Sequence, residues 1–595
     1  MHAQAKGFVL RFAAPAFGDK AAPLDAHAST REGRADGEQL RLVVRPQATT
    51  PEAEREQQPI VTPFVVLTYS GRIDNREEIA HSLGRPRLVW ATDGVLFAEA
   101  YAAWGEQFPA KVIGEYAVAL LDRFHGRLVA ARDSLGIGRL FRYEEAGAIW
   151  LASSLEMLLG ALPKRPTFDR RGLAEYVAGG GVLTSGRTIY DGIREVPAAH
   201  VITHNGRAAV VRRYWQPDPE RRLTLRGAGE YDEAFRCLLF AAVRPSLRSN
   251  TAVWSDLSGG LDSAAVTAAA ALLERSGSGT GSSLTNGLGA FSVAMSDESE
   301  FRDEFLAAYP IEHHRVDVDH HPLFEHYEAP SCHPSKSILY RPIADAAAKL
   351  FTFYRVGTHL TGRGGNQLFC GERFPPPQPR WTRWFQRSKM PRWLAPGFVD
   401  QVRASEQDPW PAGPRLYDDP ARERQYRSIL RTANVARFIR VADERQPLLY
   451  RPLVEFALAL PWEHLLRPDQ DRVIQRRSLR GILPERIRLR TSKGSNTSSL
   501  LLRGLRESWP KLQPLTFGRR LAQLDLVQPQ PFQAACERLR HGLVADQLRY
   551  ITAALSLEIW LRANATPQRD APLATFFSLP VLNLVSLGHV AKCPI

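Results

Sequence analysis

The stretch Trp254–Leu273, WSDLSGGLDSAAVTAAAALL, constrains this chain more than any other. An apolar approach over Thr251–Trp254 reads as the end of a buried strand, and the alanine-rich run that follows has strong helix propensity. Between them lies Ser258-Gly259-Gly260-Leu261-Asp262-Ser263. Strand, glycine turn and helix start is the geometry in which backbone N–H groups and a helix N-terminus converge on an anion. The glycines admit a phosphate close to the backbone, and the serines add hydroxyl donors. A carboxylate such as Asp262 is repelled by phosphates unless a cation sits between, so the loop is expected to hold a pyrophosphate with Mg²⁺. It lacks the lysine and the spacing of a GxxxxGK(S/T) loop.

The chain has 595 residues, enough for two or more domains with sizeable cores. Lys and Arg number 77 against 63 Asp and Glu, a net charge of +14, which favours an acidic partner such as a nucleotide. Nucleic acid is not expected, because the basic residues are scattered rather than blocked. Five cysteines, Cys237, Cys332, Cys370, Cys536 and Cys593, lie far apart with no CxxC pair. That usage fits a reducing cytoplasm and argues against a zinc site or a disulfide framework. The apolar patch Gly7–Leu10 is broken by Arg11, so no signal peptide is expected, and no apolar run approaches the roughly 18 residues of a membrane span.

Residues 18–60 are polar, rich in Ala and Arg and poor in periodicity, and read largely as loop. Strands are expected at Val61–Tyr69, Arg139–Tyr143 and Ala148–Ala152, and a hairpin at Val112–Asp122 with Arg127–Arg132. Val95–Trp104 has helical spacing, with Leu96, Ala100, Tyr101 and Trp104 on one face. This order suggests an α+β domain rather than a parallel array.

Several segments resemble the asparagine synthetase family. SGRIDNREEI (Ser70–Ile79), Ile113–Tyr143, Leu151–Leu159 and Thr188–Trp215 look like its glutaminase domain, and SGGLDS resembles the PP-loop of ATP pyrophosphatases, which cleave ATP between the α and β phosphates. The resemblance implies two domains: residues 1–217, a class II glutaminase-like (Ntn-type) sandwich, and residues 228–595, a PP-loop ATP pyrophosphatase α/β domain with extra helices. The family's glutaminase uses an N-terminal cysteine, but position 2 here is His2 and no cysteine precedes Cys237. Without a thiolate, thioester chemistry on glutamine cannot start. The family's glutamine-holding Asn-Gly-Glu appears as Ser70-Gly71-Arg72, while Asp93 survives from its second ammonium contact. The first domain is therefore expected to be a degenerate glutaminase, kept for packing and substrate contact.

In the second half, Ser276–Gly289 reads as a surface loop, with strands expected at Ala290–Met295 and His313–Asp319. The doublets His313-His314 and His320-His321 offer one ligand per strand face and read as ordinary strand-end residues. The resemblance places ATP against Leu257, Ser258, Gly259, Gly260, Leu261, Asp262, Ser263, Ser292, Val293, Thr361 and Gly362. The family's second magnesium-binding Asp, opposite Asp262, is Asn366 here, a neutral ligand expected to bind metal weakly or through water. ADERQPLLYRP supplies Glu444, and LPERIRLRTSKGSNTS (Leu483–Ser498) supplies Lys493 to offset charge in the adenylating transition state.

Three family chemistries compete. Asparagine synthetases need ammonia from glutamine, whose source is missing. β-Lactam synthetases use a Tyr–Glu pair, and Arg363 stands at the tyrosine position, so half of that pair is absent. Lasso peptide macrocyclases, which join a peptide's N-terminal amine to an Asp or Glu side chain, resemble the chain best through the degenerate glutaminase and Leu483–Thr497. A peptide α-amine has a pKa of about 7.7–8.0 and needs no strong dedicated base, so Glu444 or water suffices. The expected cofactors are ATP and Mg²⁺, and the expected partner is a precursor core peptide, with a leader peptidase and a leader-binding protein as further candidates. A catalytically inactive nucleotide-binding scaffold is the non-enzymatic alternative. Gly371–Phe398, with three consecutive prolines and several aromatic–Arg pairings, is either a flap over a peptide or a surface insertion, and Phe532–Arg562 reads as amphipathic helix packed on the core.

Overall fold

A computed structural model describes residues 6–13, 25–27, 32–37, 40–183, 186–277, 287–294, 299–325, 331–370, 391–406, 415–435, 439, 441–491 and 497–564. Residues 371–390 of the proline-rich segment, 278–286 of the Gly/Ser stretch, His2 and Lys493 lie outside them.

The first half is two stacked antiparallel sheets. One has seven strands in the order Arg194–Glu195, Phe141–Glu145, Ala148–Ala152, Gly7–Ala13, Leu40–Arg45, Gly33–Asp36 and Asp25–His27; the other has six and includes Gly114–Asp122, Arg127–Arg132 and Val65–Ile73. Strand alternation sorts the core. Phe8, Leu10 and Phe12 pair with Val44, Leu42 and Leu40, and together they face Ala117, Ala119 and Leu121 of the opposing sheet. Helices Arg76–Ser82 and Asp93–Trp104 cover the far face of the six-stranded sheet, where Leu67, Tyr69 and Val118 meet Leu96 and Phe97. The expected hairpin is present with Leu121 opposite Leu128. Residues 18–60 are not largely loop: Leu40–Arg45 is a buried strand whose six-residue alternation, LRLVVR, is short enough to be lost in polar flanks.

The second half is built on five parallel strands. Across the sheet the order is Glu312–Asp317, Leu288–Ala294, Ala252–Asp256, Val356–Leu360 and Asp443–Arg445. Chain order therefore reverses between Ala252–Asp256 and Val356–Leu360, and ligands of open α/β sheets bind outside the carboxyl ends of the strands at such a point. The alanine-rich stretch forms helix Leu261–Arg275, and its small side chains let it lie close to the sheet with Ala264, Ala265, Ala268 and Ala269 fully buried. Helix Leu548–Ala563 is not amphipathic as expected: every residue from Ile551 to Leu561 is buried, and Glu558 within it accepts the N–H groups of Arg520 and Leu521 and pairs with Arg562. The last residues of the proline-rich segment are core rather than surface, with Trp393 packed on Phe532 at 4.9 Å.

The halves are joined by buried charge. Arg72 binds Asp74 at 2.9 Å and Glu115 at 3.0 Å, and Glu115 accepts the N–H of Gln446 from the second half. Arg248 of the second half reaches Glu52 at 3.3 Å, Asp93 at 3.5 Å and the carbonyl of Ile73 at 3.0 Å. Arg445, wholly buried, donates to the carbonyls of Ser246 and Arg248 and to Thr49. Arg72→Ala strands Asp74 and Glu115 as buried anions, and should cost about 3–5 kcal/mol of stability, measured by urea denaturation followed through tryptophan fluorescence.

Candidate functional site

The central strand ends at Asp256 and the chain turns at once through Leu257–Gly260 into the helix starting at Leu261. Gly259 has φ +72°, a conformation that favours glycine, and Ser258 Oγ lies 2.9 Å from Ser263 Oγ across the turn. The first N–H groups of that helix have no intrahelical acceptor, so the loop presents donors outward. Ser292 and Val293 continue the neighbouring strand just past Phe291, whose carbonyl accepts the Leu257 N–H at 2.7 Å. On the other side Thr361-Gly362-Arg363-Gly364-Gly365 leaves strand Val356–Leu360.

The two loops touch through their glycines. A Cβ on Gly362 would lie 2.5 Å from the Ser263 nitrogen, and one on Gly365 would lie 2.3 Å from Asp262 Cγ. Only glycine permits this approach, which sets Asp262 against the start of Gly365–Leu368 and next to Asn366. Thr361 is held in place by its N–H bond to the Arg445 carbonyl at 3.0 Å. Thus Leu257–Ser263, Ser292, Val293, Thr361, Gly362, Arg363, Asn366 and Glu444 are brought to one edge of the sheet.

Two arginines that the motif reading did not single out complete the edge. Arg472, in the left-handed region at φ +53°, donates to the Asn366 amide oxygen and stands 3.6 Å from the Asp262 carboxylate. Its guanidinium thus sits between the two residues expected to bind metal. Arg490 donates to the Gly259 carbonyl at 2.9 Å and lies over the Phe301 ring, which brings the start of the Lys493 segment to the loop. Among the described residues no cluster of three His, Cys, Asp or Glu side chains forms a metal cage. Of the histidine doublets, His313 bonds Ser292 at 2.9 Å and His314 stacks on Trp254 at 4.4 Å.

Beneath the edge runs a line of alternating charge over three adjacent strands. His359 Nε2 is 2.7 Å from Asp256 Oδ1, His359 is in register with Glu444, and Glu444 Oε1 is 3.0 Å from Arg363 Nη2. His359 and Glu444 are buried, and among the described residues His359 Nδ1 has no hydrogen-bond partner. This array escapes sequence reading because Asp256 and His359 lie in different strands of ordinary composition, and only the register unites them.

In the first domain, the residues at glutamine-binding positions are engaged elsewhere. Arg72 is consumed by Asp74 and Glu115, and Asp93 by the Ile73 N–H, Arg76 and Arg248.

Comparison with known proteins finds two family matches in this chain. The family model described as asparagine synthase matches residues 234–562, and that of the glutamine amidotransferase domain matches residues 40–215. Asparagine synthetase (glutamine-hydrolyzing) 3 of Bacillus subtilis is 24% identical over 472 residues, covering 71% of this chain and 74% of its own. Amidase chyE of Penicillium rubens is 24% identical over 303 residues, 48% of this chain and 44% of its own. A putative asparagine synthetase (glutamine-hydrolyzing) of Mycobacterium tuberculosis is 29% identical over 215 residues, 34% of this chain and 33% of its own.

Burial alone would favour neutral imidazole at His359, but the Asp256 carboxylate, with Glu444 behind it, raises its pKa above the ordinary value. With the folded pKa above the unfolded value of about 6.5, the imidazolium contributes stability that is complete below that pH and lost as pH rises through the folded pKa. The thermal midpoint of His359→Gln should therefore fall furthest below that of the unsubstituted protein at about pH 6, and the gap should close toward alkaline pH.

Proposed function

The chain belongs to the asparagine synthase family, whose model spans more than half of it, and we propose that it is an ATP-dependent amide ligase that closes a macrolactam in a lasso-type peptide. The observation that carries this reading is the contrast between its halves. The pyrophosphate loop is intact and faced by Arg472 and Arg490, while the charged residues of the glutamine pocket are spent on the domain interface. An amide ligase with no ammonia source takes its amine from the substrate.

In the first step a side-chain carboxylate of the peptide attacks the α-phosphorus of ATP. The bond to the β-phosphate oxygen breaks, pyrophosphate leaves, and an acyl-adenylate remains. Ser258, Ser263 and the loop N–H groups hold the departing phosphates, and Arg472, Arg490 and Lys493 offset the charge that develops on them. Mg²⁺, when bound, would further neutralise the phosphates; the donor set fits it through Asp262 with phosphate oxygens, whereas the Asn366 oxygen is taken by Arg472. In the second step the N-terminal amine attacks the acyl carbon, the bond to AMP breaks, and the amine loses a proton to Glu444 or water. Arg363 holds Glu444 in an ion pair, so proton acceptance at Glu444 requires that guanidinium to swing aside.

Incubating the protein with ATP, Mg²⁺ and a leaderless core peptide should yield a product lighter by one water, with stoichiometric AMP and pyrophosphate. AMP and pyrophosphate formed only with a small amino acid would reassign the substrate, and no pyrophosphate with any carboxylate would leave a scaffold. Asp262→Ala should abolish AMP formation, whereas Asn366→Asp should retain it. Glutamine should not replace the peptide amine, since no glutamate will be released.

A further inference from the structure

A cavity of about 380 Å³ lies between the domains, within the range of roughly 300–1,000 Å³ typical of ligand sites. Its wall includes Arg139, Tyr176 and Arg187 from the first domain and Lys336, Tyr340 and Arg363 from the second. Arg363 ties one part of this wall to the reaction edge through Glu444. Arg472 and Arg490, which face the pyrophosphate loop, are not in the wall.

Most of the cationic wall is neutralised. Arg139 binds Glu195 at 3.0 Å, Arg187 binds Asp169 at 3.0 Å, and Arg363 has Glu444. Lys336 differs: among the described residues no carboxylate pairs with it, and burial, followed by the neighbouring Arg431, lowers its pKa. Arg431 donates to the Gly179 carbonyl and has Arg549 as its charged neighbour. Arg549 packs its Cβ about Gly180, and among the described residues it too has no carboxylate partner. Three cations thus gather at Gly179–Gly181, where Gly180 has φ +67° and Gly181 φ +93°. The contact is built in, because a Cβ on Gly181 would lie 2.4 Å from Lys336 Cδ. Lys336 is the half-buried member and lines the cavity, with the exposed Arg431 and Arg549 behind it, and a cation without a carboxylate on a cavity wall favours an anion.

We propose that this interdomain cavity receives the acceptor peptide and that Lys336, supported by Arg431 and Arg549, binds a peptide carboxylate other than the one activated. The proposal rests on the peptide-ligase reading. A phosphate is a poorer occupant, because the phosphates already have the loop and its arginines, and the apolar part of this wall, Phe141, Leu155, Leu183 and Ile189, suits side chains. The second carboxylate is either an acidic side chain or the peptide's C-terminus. Arg363 and Lys336 would then hold one peptide at two places, which makes the cavity a specificity device for acidic peptides.

The test reads binding without ATP, so it is independent of turnover. The probes are fluorescein-labelled peptides that share one activatable glutamate and differ elsewhere: an aspartate with an amidated C-terminus, an asparagine with a free C-terminus, and an asparagine with an amidated C-terminus. Fluorescence anisotropy should show one of the first two binding about tenfold tighter than the third, and which one identifies the carboxylate. Lys336→Gln should bind all three at the level of the third, and its thermal midpoint should not fall, since no anion is left stranded. Equal binding of all three by the unsubstituted protein overturns the proposal, as does discrimination that survives Lys336→Gln. Ligation without discrimination would sink the cavity proposal alone. Discrimination without any product lighter by one water would sink the ligase reading and leave the cavity a peptide site.

Discussion

The approach of Gly365 to the Asp262 carboxyl group is the constraint on which the site depends. It makes one surface of two loops that leave different strands, and it works because the strand order reverses between those two parallel strands. Any side chain at Gly362 or Gly365 would push the pyrophosphate loop from the turn that carries Arg363 and Asn366. Helix Leu261–Arg275 serves the same end: its alanines let the loop sit low on the sheet, and a bulkier helix would lift it.

Charge is distributed in two ways around that surface. At the loop edge Arg472 is held by Asn366 and Asp262, and Arg490 by the Gly259 carbonyl and the Phe301 ring, so both cations border the loop. Below it the line Asp256, His359, Glu444 and Arg363 alternates in sign, so each member is held by its neighbours in a low-dielectric layer. Substitutions along such a line should be strongly non-additive, because removing one charge changes the partner of the next.

The strand–turn–helix around Ser258–Ser263 was legible in the sequence because its logic is local: strand, glycines and helix start lie within twenty residues. Gly114–Asp122 and Arg127–Arg132 were legible for the same reason, as a hairpin joined by a short turn. Leu40–Arg45 was not, since its strand identity comes from pairing with Gly7–Ala13, 28 to 38 residues earlier. The burial of helix Leu548–Ala563 was hidden too, because a polar face of Thr552, Ser556 and Glu558 looks solvated until its partners are known. In the site, Arg472, Arg490 and His359 are ordinary residue types, and their roles arise from contacts across a hundred residues or more. Lys493 lies outside the described residues.

Arg248 gives the domain interface a further meaning. Its side-chain partners, Glu52, Asp93 and the Ile73 carbonyl, all belong to the first domain, although Arg248 itself immediately precedes the strand that leads to the pyrophosphate loop. The first domain therefore acts as a fixed counterion for the second, whatever became of its own chemistry. Without it Arg248, just before the strand that carries the loop, would lose both carboxylates that neutralise it.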